Sequence, residues 1–183
     1  MIISGTAGTG KSYLIKCLRL LLNEQVHVAA PTGVAAFNIE GHTLHSLFSL
    51  PTKGDFKDLE GKRLHKMQQS LANMKYLIID EMSMVGRKMF GQVDQRLRQV
   101  FPHQANVVLG GCLCLLFGDF GQLPPVMDLP LYTTVPRSAL SDLAVLPTRV
   151  LTMLSFSIKS CVSVKILTKC CFEISHSASE MVE

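Results

Sequence analysis

Eight consecutive residues near the start of the chain have the types and spacing of a loop that binds phosphate. Residues 5–12 read Gly-Thr-Ala-Gly-Thr-Gly-Lys-Ser and fit the pattern Gly-x-x-x-x-Gly-Lys-Ser/Thr. Glycines allow backbone N–H groups to turn toward a phosphate, and the N-terminus of a following helix adds partial positive charge. We expect Lys11 to reach the β- and γ-phosphates of a nucleoside triphosphate and the Ser12 hydroxyl to bind Mg²⁺. The predicted nucleotide-binding residues are Gly5, Thr6, Ala7, Gly8, Thr9, Gly10, Lys11 and Ser12.

Two acidic residues at positions 80 and 81 follow an apolar segment, Tyr-Leu-Ile-Ile, at 76–79. Ligands bind at the carboxyl ends of strands in open α/β sheets, so both carboxylates are placed where a nucleotide would lie. We expect Asp80 to hold Mg²⁺ beside Ser12, and Glu81 to orient and deprotonate the attacking water. Many strands end in acidic turns, and this interpretation therefore depends on the phosphate-binding loop that precedes it.

A third motif, Gly-Asp-Phe-Gly-Gln-Leu-Pro-Pro-Val at 118–126, also follows an apolar run. A side-chain amide both donates and accepts hydrogen bonds, so Gln122 can contact a γ-phosphate oxygen and the attacking water. The two prolines stiffen the chain and fix the direction of the glutamine. Alone, this segment would indicate only a turn that ends at proline. With the first two motifs, it completes a predicted catalytic set of Lys11, Glu81 and Gln122.

Small and polar residues at 30–48 form a fourth segment with a different predicted role. Small side chains at 33–36 permit the close approach of a backbone, and hydroxyl, amide and imidazole groups bind phosphates or stack on unpaired bases. The predicted contacts to single-stranded DNA are Thr32, Asn38, His42, Thr43 and His45. Phe37 and Phe48 are predicted to belong to the core rather than to stack on bases. The two histidines lack a third ligand for a metal ion.

The elements that must position these groups alternate between strand and helix. Apolar runs predict strands at residues 1–3, 26–30, 76–79 and 112–117. Helical spacing predicts helices at 13–22, around 64–74, and at 85–100. Apolar strands separated by helices indicate an α/β fold, with a parallel sheet covered on both faces. A strand before residues 5–12 and a helix after them favour a phosphate-binding loop over a flexible turn.

Basic residues are concentrated in two places. The polar side of the helix at 85–100 is predicted to carry Arg87, Lys88, Arg96 and Arg98. The stretch from 53 to 66 adds Lys53, Lys57, Lys62, Arg63 and Lys66. These five side chains are more typical of a solvated face than of a nucleic-acid site, although they would also support DNA binding.

The composition describes a globular chain with room for one domain. Of 183 residues, 48% are hydrophobic and 17% are charged, and the formal net charge of +4 permits a nucleic-acid partner without requiring one. The six cysteines show no Cys-x-x-Cys pair, which argues against zinc. Cys112 and Cys114 are expected to be buried thiols. No signal segment or membrane-spanning run is evident, so we expect an intracellular protein of the nucleus, mitochondrion or cytosol.

The character of the sequence changes near residue 146. No acidic residue occurs between Asp142 and Glu173, and alternation over 158–166 predicts an edge strand. Residues 175–183 are expected to fray. We therefore expect a domain at 1–145 and a divergent tail at 146–183.

Together, the four motifs resemble the petite-integration-frequency (PIF) family of DNA helicases of superfamily 1B. Residues 131–132 and 138–140 match as well, so the similarity covers about residues 1–143. Phosphate-loop kinases and transport ATPases share only the first motif. The resemblance implies a RecA-like P-loop domain that uses Lys11, Ser12, Asp80, Glu81 and Gln122 with ATP and Mg²⁺. It also implies 5′-to-3′ movement on single-stranded DNA along residues 31–48, and roles in repair, recombination and telomere upkeep.

The sequence departs from the family pattern at both ends. Family helicases have a second RecA-like domain that supplies arginine fingers, whereas the resemblance here stops near residue 144 and begins after the adenine-recognition segment. An arginine finger changes the rate by about 10³- to 10⁵-fold, so we expect this chain alone to hydrolyse ATP slowly and not to unwind DNA. The alternative is a module that binds nucleotide or single-stranded DNA without turnover. A kinase or GTPase would need a base-recognition motif, and none is evident.

Overall fold

The centre of the molecule is a sheet of six parallel strands, seen in a computed structural model that describes residues 1–133 and 155–157. The strands are β1 (Ile2–Ser4), β2 (Val26–Ala30), β3 (His42–Thr43), β4 (Tyr76–Ile79), β5 (Leu113–Gly118) and β6 (Ser155–Ser157). The helices are α1 (Lys11–Leu22), α2 (Gly33–Asn38), α3 (Leu44–Phe48), α4 (Gly61–Ser70) and α5 (Arg87–Val100). Their order in the sheet is β3-β2-β4-β5-β1-β6.

Helices cover both faces of the sheet because the strand side chains alternate between two hydrophobic clusters. In β4, Leu77 and Ile79 pack in one cluster, and Tyr76 and Ile78 pack in the other. The first cluster includes buried residues of α3, α4 and α5, whereas the second includes buried residues of α1 and α2. This three-layer arrangement confirms the α/β fold predicted from the sequence.

The order of the strands brings distant parts of the chain to one edge of the sheet. β5 lies between β4 and β1, with Leu116 opposite both Ile79 and Ile2. The backbone N–H of Gly5 donates to the carbonyl of Gly118 at 3.1 Å, which joins the segments that leave β1 and β5. The residues that follow β1, β4 and β5 therefore meet at the carboxyl edge, as in other open α/β sheets.

The predicted elements differ from the observed ones mainly at their ends, whereas α2, β3 and α3 were not predicted. The strand expected at 112–117 is β5, one residue later, because Val108–Gly111 forms a turn before it in which Leu109 and Gly110 have positive φ. Cys112 and Cys114 are buried as expected, and burial raises the pKa of each thiol to about 12. The edge strand expected at 158–166 lies outside the described residues. Within the described ranges, no helix is long and apolar enough to cross a membrane.

Two arginines predicted on the polar side of α5 are buried instead. Arg87 and Arg96 are each only 1% exposed. The Arg96 guanidinium donates to the carbonyls of Phe48 and Lys57, each at 3.1 Å, and lies 4.4 Å above the centre of the Phe56 ring. Phe48 ends α3 and Lys57 lies in the loop after it, 48 and 39 residues before Arg96, so helical periodicity does not reveal these partners.

One aromatic side chain also lies where the sequence did not predict it. Phe48 is fully buried, as expected for the core, but Phe37 is 83% exposed. Helix α2 buries Ala35 and Ala36 against the sheet, and this leaves Phe37 on the solvent side. The prediction that Phe37 belongs to the core is therefore wrong.

Candidate active site

The loop between β1 and α1 owes its shape to two glycines with positive φ. Gly8 and Gly10 have φ angles of 79° and 88°, which residues with a Cβ rarely adopt. The Thr9 hydroxyl donates to the Thr6 carbonyl at 2.9 Å and closes the loop. Gly10 is the N-cap of α1 and offers no side-chain acceptor. The first N–H groups of this helix are therefore available to an anion.

The Lys11 ammonium group hydrogen-bonds to the backbone of this loop. It donates to the Gly5 carbonyl at 2.6 Å and to the Thr6 carbonyl at 2.9 Å. An ammonium group has three donors, so one remains for a phosphate oxygen. The two backbone contacts hold the ammonium group against the first residues of the loop.

A buried carboxylate, that of Asp80, directly follows β4 at the carboxyl edge of the sheet. Asp80 is 7% exposed, and its N–H donates to the Ala29 carbonyl at 2.9 Å. Burial raises the pKa of the Asp80 carboxyl because it disfavours the charged form. The backbone N–H of Glu81 and the charge of Lys11 act in the opposite direction, whereas the Glu81 carboxylate adds to the rise. Asp80 is therefore a desolvated oxygen donor that a cation would stabilise.

Glu81 adopts an unusual backbone conformation for a residue with a side chain. Its φ and ψ are 53° and 48°, in the left-handed region. Such a conformation costs of order 1–3 kcal/mol and is found most often at functional sites. It ends β4 abruptly and starts a 3₁₀ turn at Met82–Met84. Glu81 thus does not continue the strand, and it is half-exposed and lines the same cleft as Ser12.

The segment after β5 begins with a tight turn stabilised by Asp119. Oδ1 of Asp119 accepts from the Gly121 N–H at 2.9 Å, and its carbonyl accepts from the Gln122 N–H at 3.0 Å. Phe120 packs edge-on against Tyr132, with 5.4 Å between ring centroids. The turn leaves the Gln122 side chain exposed at the carboxyl edge.

Asp128, a residue that the sequence analysis missed, holds the far end of this segment. Its carboxylate accepts from the N–H groups of Lys88 at 3.1 Å and Met89 at 3.2 Å, so it caps α5 from outside the helix. A Cβ at Gly86 would lie 2.0 Å from Oδ2 of Asp128, so only glycine leaves room for this contact. The signal in the sequence is that α5 starts after Gly86, with no capping side chain of its own.

These segments surround a cleft of about 630 Å³. Four of the predicted catalytic and metal-binding residues line it, namely Ser12, Asp80, Glu81 and Gln122. Lys11 is next to Ser12 in the chain but is not part of the lining. The remaining lining residues are Thr32, Val34, Ala35, Asn38, Ser83, Met84, Gly121, Leu123 and Pro124.

The residues predicted to contact DNA divide into two groups. Thr32 and Asn38 line the cleft, and the Thr32 hydroxyl oxygen caps α2 by accepting from the Ala35 N–H at 3.2 Å. His42, Thr43 and His45 belong to β3 and α3 and are not part of the cleft lining. Their contact with DNA stays a prediction, as do the roles assigned to the residues of the cleft.

The side chains of Ser12 and Asp80 are of the type that binds magnesium. Ser12 and Asp80 present oxygen atoms to the same cleft, and magnesium binds through one or two protein oxygens together with waters and phosphates. In residues 1–133 and 155–157, no group of three His, Cys, Asp or Glu side chains could form a metal cage. A cation in this cleft would therefore depend on a bound nucleotide for further ligands.

Comparisons with known proteins agree with this geometry. The family model of the PIF1-like helicases matches residues 1–143. This chain belongs to that family. The matched range contains every residue that lines the cleft, and so the recognition and fold expected from the sequence are confirmed.

Individual PIF1 proteins are similar to this chain over the same region. ATP-dependent DNA helicase PIF1 of Trypanosoma brucei brucei is 37% identical over 134 residues, which cover 72% of this chain and 13% of that protein. The human protein of the same name is 38% identical over 130 residues, covering 69% of this chain and 20% of that protein. The Pif1 helicase from Bacteroides, solved in complex with ADP-AlF3 and ssDNA, is 40% identical with a TM-score of 0.62.

The matched region is a small part of each relative. This chain spans about a fifth or less of the two curated relatives and covers 30% of the Bacteroides chain, while 69% of this chain is matched in that structure.

Proposed function

We propose that this PIF1-like chain binds ATP and Mg²⁺ in the cleft and hydrolyses the γ-phosphate as a motor domain of a DNA helicase. One observation carries the proposal: Ser12, Asp80, Glu81 and Gln122 come from three separate strand ends and line the same cleft. The names of its relatives, ATP-dependent DNA helicases, support ATP as the nucleotide.

Each side chain has a distinct role in the proposed reaction. The N–H groups of residues 8–12 and the free donor of Lys11 bind the β- and γ-phosphates. Ser12 and Asp80 would hold Mg²⁺, which neutralises charge on the phosphate oxygens when it is bound. Glu81 orients the attacking water and accepts its proton, and Gln122 donates to a γ-phosphate oxygen while it accepts from that water.

Hydrolysis is proposed to drive 5′-to-3′ movement on single-stranded DNA. The Bacteroides relative was solved with ssDNA, which supports this class of partner. Thr32, Asn38, His42, Thr43 and His45 are the proposed contacts, and they would act mainly on the sugar–phosphate backbone. Roles in repair, recombination and telomere upkeep, and a location in the nucleus or mitochondrion, belong to the same proposal.

A second candidate function is a module that binds nucleotide without turnover. Among the residues that the structure describes, no arginine lines the cleft. An arginine finger is worth about 10³- to 10⁵-fold in the rate of phosphoryl transfer. The 183-residue chain tested alone is therefore expected to hydrolyse ATP slowly and to show no strand separation.

A single-turnover hydrolysis assay with Glu81→Gln tests the proposed function. With protein in excess over ATP, we expect Glu81→Gln to bind Mg-ATP as tightly as the unmodified chain. Its hydrolysis rate should fall by about 10²-fold or more, because the amide cannot accept the proton of the water. Equal rates in the two proteins would refute the role of Glu81. Binding without hydrolysis by the unmodified chain would favour the second candidate.

A further inference from the structure

Ser83 is a polar residue of the cleft to which the proposed function assigns no role, either in hydrolysis or in contact with DNA. It is 4% exposed, and it lines the cleft together with Glu81 and Gln122. Its Oγ atom is shielded from solvent and makes no hydrogen bond to any residue in the described part of the chain. A buried hydroxyl without a partner costs free energy, so native proteins rarely retain one without a purpose.

The backbone holds Ser83 in place. The left-handed conformation of Glu81 turns the chain into the 3₁₀ turn at Met82–Met84, where the N–H of Met84 donates to the Glu81 carbonyl at 3.1 Å. The Val85 N–H donates to the Met82 carbonyl, also at 3.1 Å. Ser83 is therefore the middle residue of a rigid turn, and its position does not depend on a hydrogen bond from its own side chain.

This turn also contacts the end of β5. A Cβ on Gly118 would lie 2.9 Å from the backbone nitrogen of Met82 and 3.0 Å from its Cγ, so the two segments touch there. Gln122 follows Gly118 by four residues and reaches the same cleft as Ser83. The Gln122 backbone N–H donates to the Asp119 carbonyl at 3.0 Å, and the Gln122 side chain is exposed.

A purely structural role explains Ser83 poorly. Alanine would occupy less space than serine and would bury no unsatisfied hydroxyl, so stability alone would favour alanine at this position. The partner of the hydroxyl is therefore expected to be a group that reaches it when nucleotide is bound. Two exposed amide side chains with both donors and an acceptor line the cleft, Asn38 and Gln122. Gln122 is the better partner because its segment follows β5, whose end touches the turn that contains Ser83.

We propose that Ser83 is a positioning residue whose hydroxyl hydrogen-bonds the Gln122 side-chain amide in the nucleotide-bound protein. This bond fixes the angle at which the amide meets the attacking water and the γ-phosphate, and so it links the segment after β4 to the segment after β5. The inference rests on the proposed function, because it assigns a partner to Gln122 within the same hydrolytic site.

The test compares binding of Mg-ADP with binding of Mg-ADP plus aluminium fluoride, a mimic of the transferred phosphoryl group. Ser83→Ala in the full chain should leave the affinity for Mg-ADP unchanged and weaken the aluminium fluoride complex by about tenfold. Its Tm should equal or exceed that of the unmodified chain, which a structural hydrogen bond would not allow. Ser83→Cys has a side chain of similar size but a weaker donor, so its affinity for the aluminium fluoride complex should lie between those of Ser83→Ala and the unmodified chain.

A double-mutant cycle identifies the partner. Gln122→Ala should weaken the aluminium fluoride complex as Ser83→Ala does, and the double variant should be no weaker than Gln122→Ala alone. The assignment would be overturned if the two substitutions reduced the affinity for the aluminium fluoride complex additively. It would also be overturned if Ser83→Ala bound that complex as tightly as the unmodified chain does. Failure of the unmodified chain to bind Mg-ADP would refute the proposed function itself and remove the basis of the inference.

Discussion

At the scale of single residues, three residues of the site are in conformations or surroundings that destabilise the folded protein, and a bound ligand would reduce that cost. Asp80 is a carboxylate whose pKa is raised chiefly by burial. Glu81 holds a left-handed backbone conformation, and the buried Ser83 hydroxyl has no hydrogen-bond partner among the described residues. Each costs stability in the free protein, and such costs are typical of sites arranged for function rather than for folding.

Replacement of Asp80 by asparagine should separate stability from function. A raised carboxyl pKa means that ionisation of Asp80 opposes folding at pH values above its folded-state pKa. Without nucleotide, Asp80→Asn should therefore raise the Tm by a few degrees at neutral pH. The gain should vanish as the pH falls below the ordinary carboxyl pKa of 3.8, where Asp80 is protonated in both states.

Thermal unfolding from pH 3 to pH 8 measures this difference, and Asp119→Asn, at the neighbouring strand end, is the matched control. Mg-ATP should stabilise the unmodified chain but not Asp80→Asn, because the amide is a poor ligand for magnesium. A lower Tm of Asp80→Asn at neutral pH would contradict the assigned cost of burying this carboxylate.

Sequence motifs predicted which segments meet at the carboxyl edge and missed residues whose role depends on distant contacts. Ser12 and Asp80 were expected there because their neighbours in the chain define the loop or the strand end, and both line the cleft. The chemical roles given to Lys11, Ser12 and Asp80 stay predictions. The exposure of Phe37 could not be predicted, since it depends on which face of a short helix the sheet covers. Ser83 follows the predicted Glu81 by only two residues, but its burial is visible only in three dimensions.

At the scale of elements, Asp128 connects the start of α5 to the segment that carries Gln122. Its carboxylate accepts from two N–H groups at the N-terminus of α5, where the helix dipole also favours a negative charge. The Arg87 N–H donates to the Leu129 carbonyl at 2.8 Å, beside these contacts. The segment from β5 to residue 130 is therefore attached at both ends.

Asp128→Ala should loosen this segment. The loss of a capping side chain costs about 1 kcal/mol, so we expect a Tm lower by a few degrees. Amide hydrogen exchange should become faster at Lys88 and Met89, and single-turnover hydrolysis should slow while Mg-ATP binding persists. Asp128→Asn keeps an oxygen acceptor and should show a smaller change. Unchanged exchange at both amides would show that Asp128 does not cap α5.

The sequence predicted the bounds of strands more accurately than the contacts between elements. Apolar runs located β2 and β4 to the residue, because a strand buried on both faces needs a continuous apolar segment. Arg96 was placed on the wrong side of α5, since periodicity counts a charged residue as exposed unless its partners are known. Its partners are carbonyl groups of Phe48 and Lys57, which no local pattern indicates.

At the scale of the whole molecule, the strand order accounts for the site. β1 and β2 are consecutive in the chain but are separated in the sheet by β4 and β5. This order places the phosphate-binding loop next to the segment after β5 and near the end of β4. The sequence predicted a parallel sheet but not this order, which depends on how the helices pack across its two faces.

The central claim is that this carboxyl edge binds Mg-ATP through the loop between β1 and α1. Calorimetric titration of Mg-ATP into the chain, into Lys11→Ala and into Lys16→Ala tests it most directly. Lys16 lies on the same helix, and its partner is Glu40 at 3.7 Å on the surface, so its removal is the matched control. We predict saturable binding by the chain and by Lys16→Ala, and at least about tenfold weaker binding by Lys11→Ala. No saturable binding by the unmodified chain, or equal binding by all three proteins, would contradict the account.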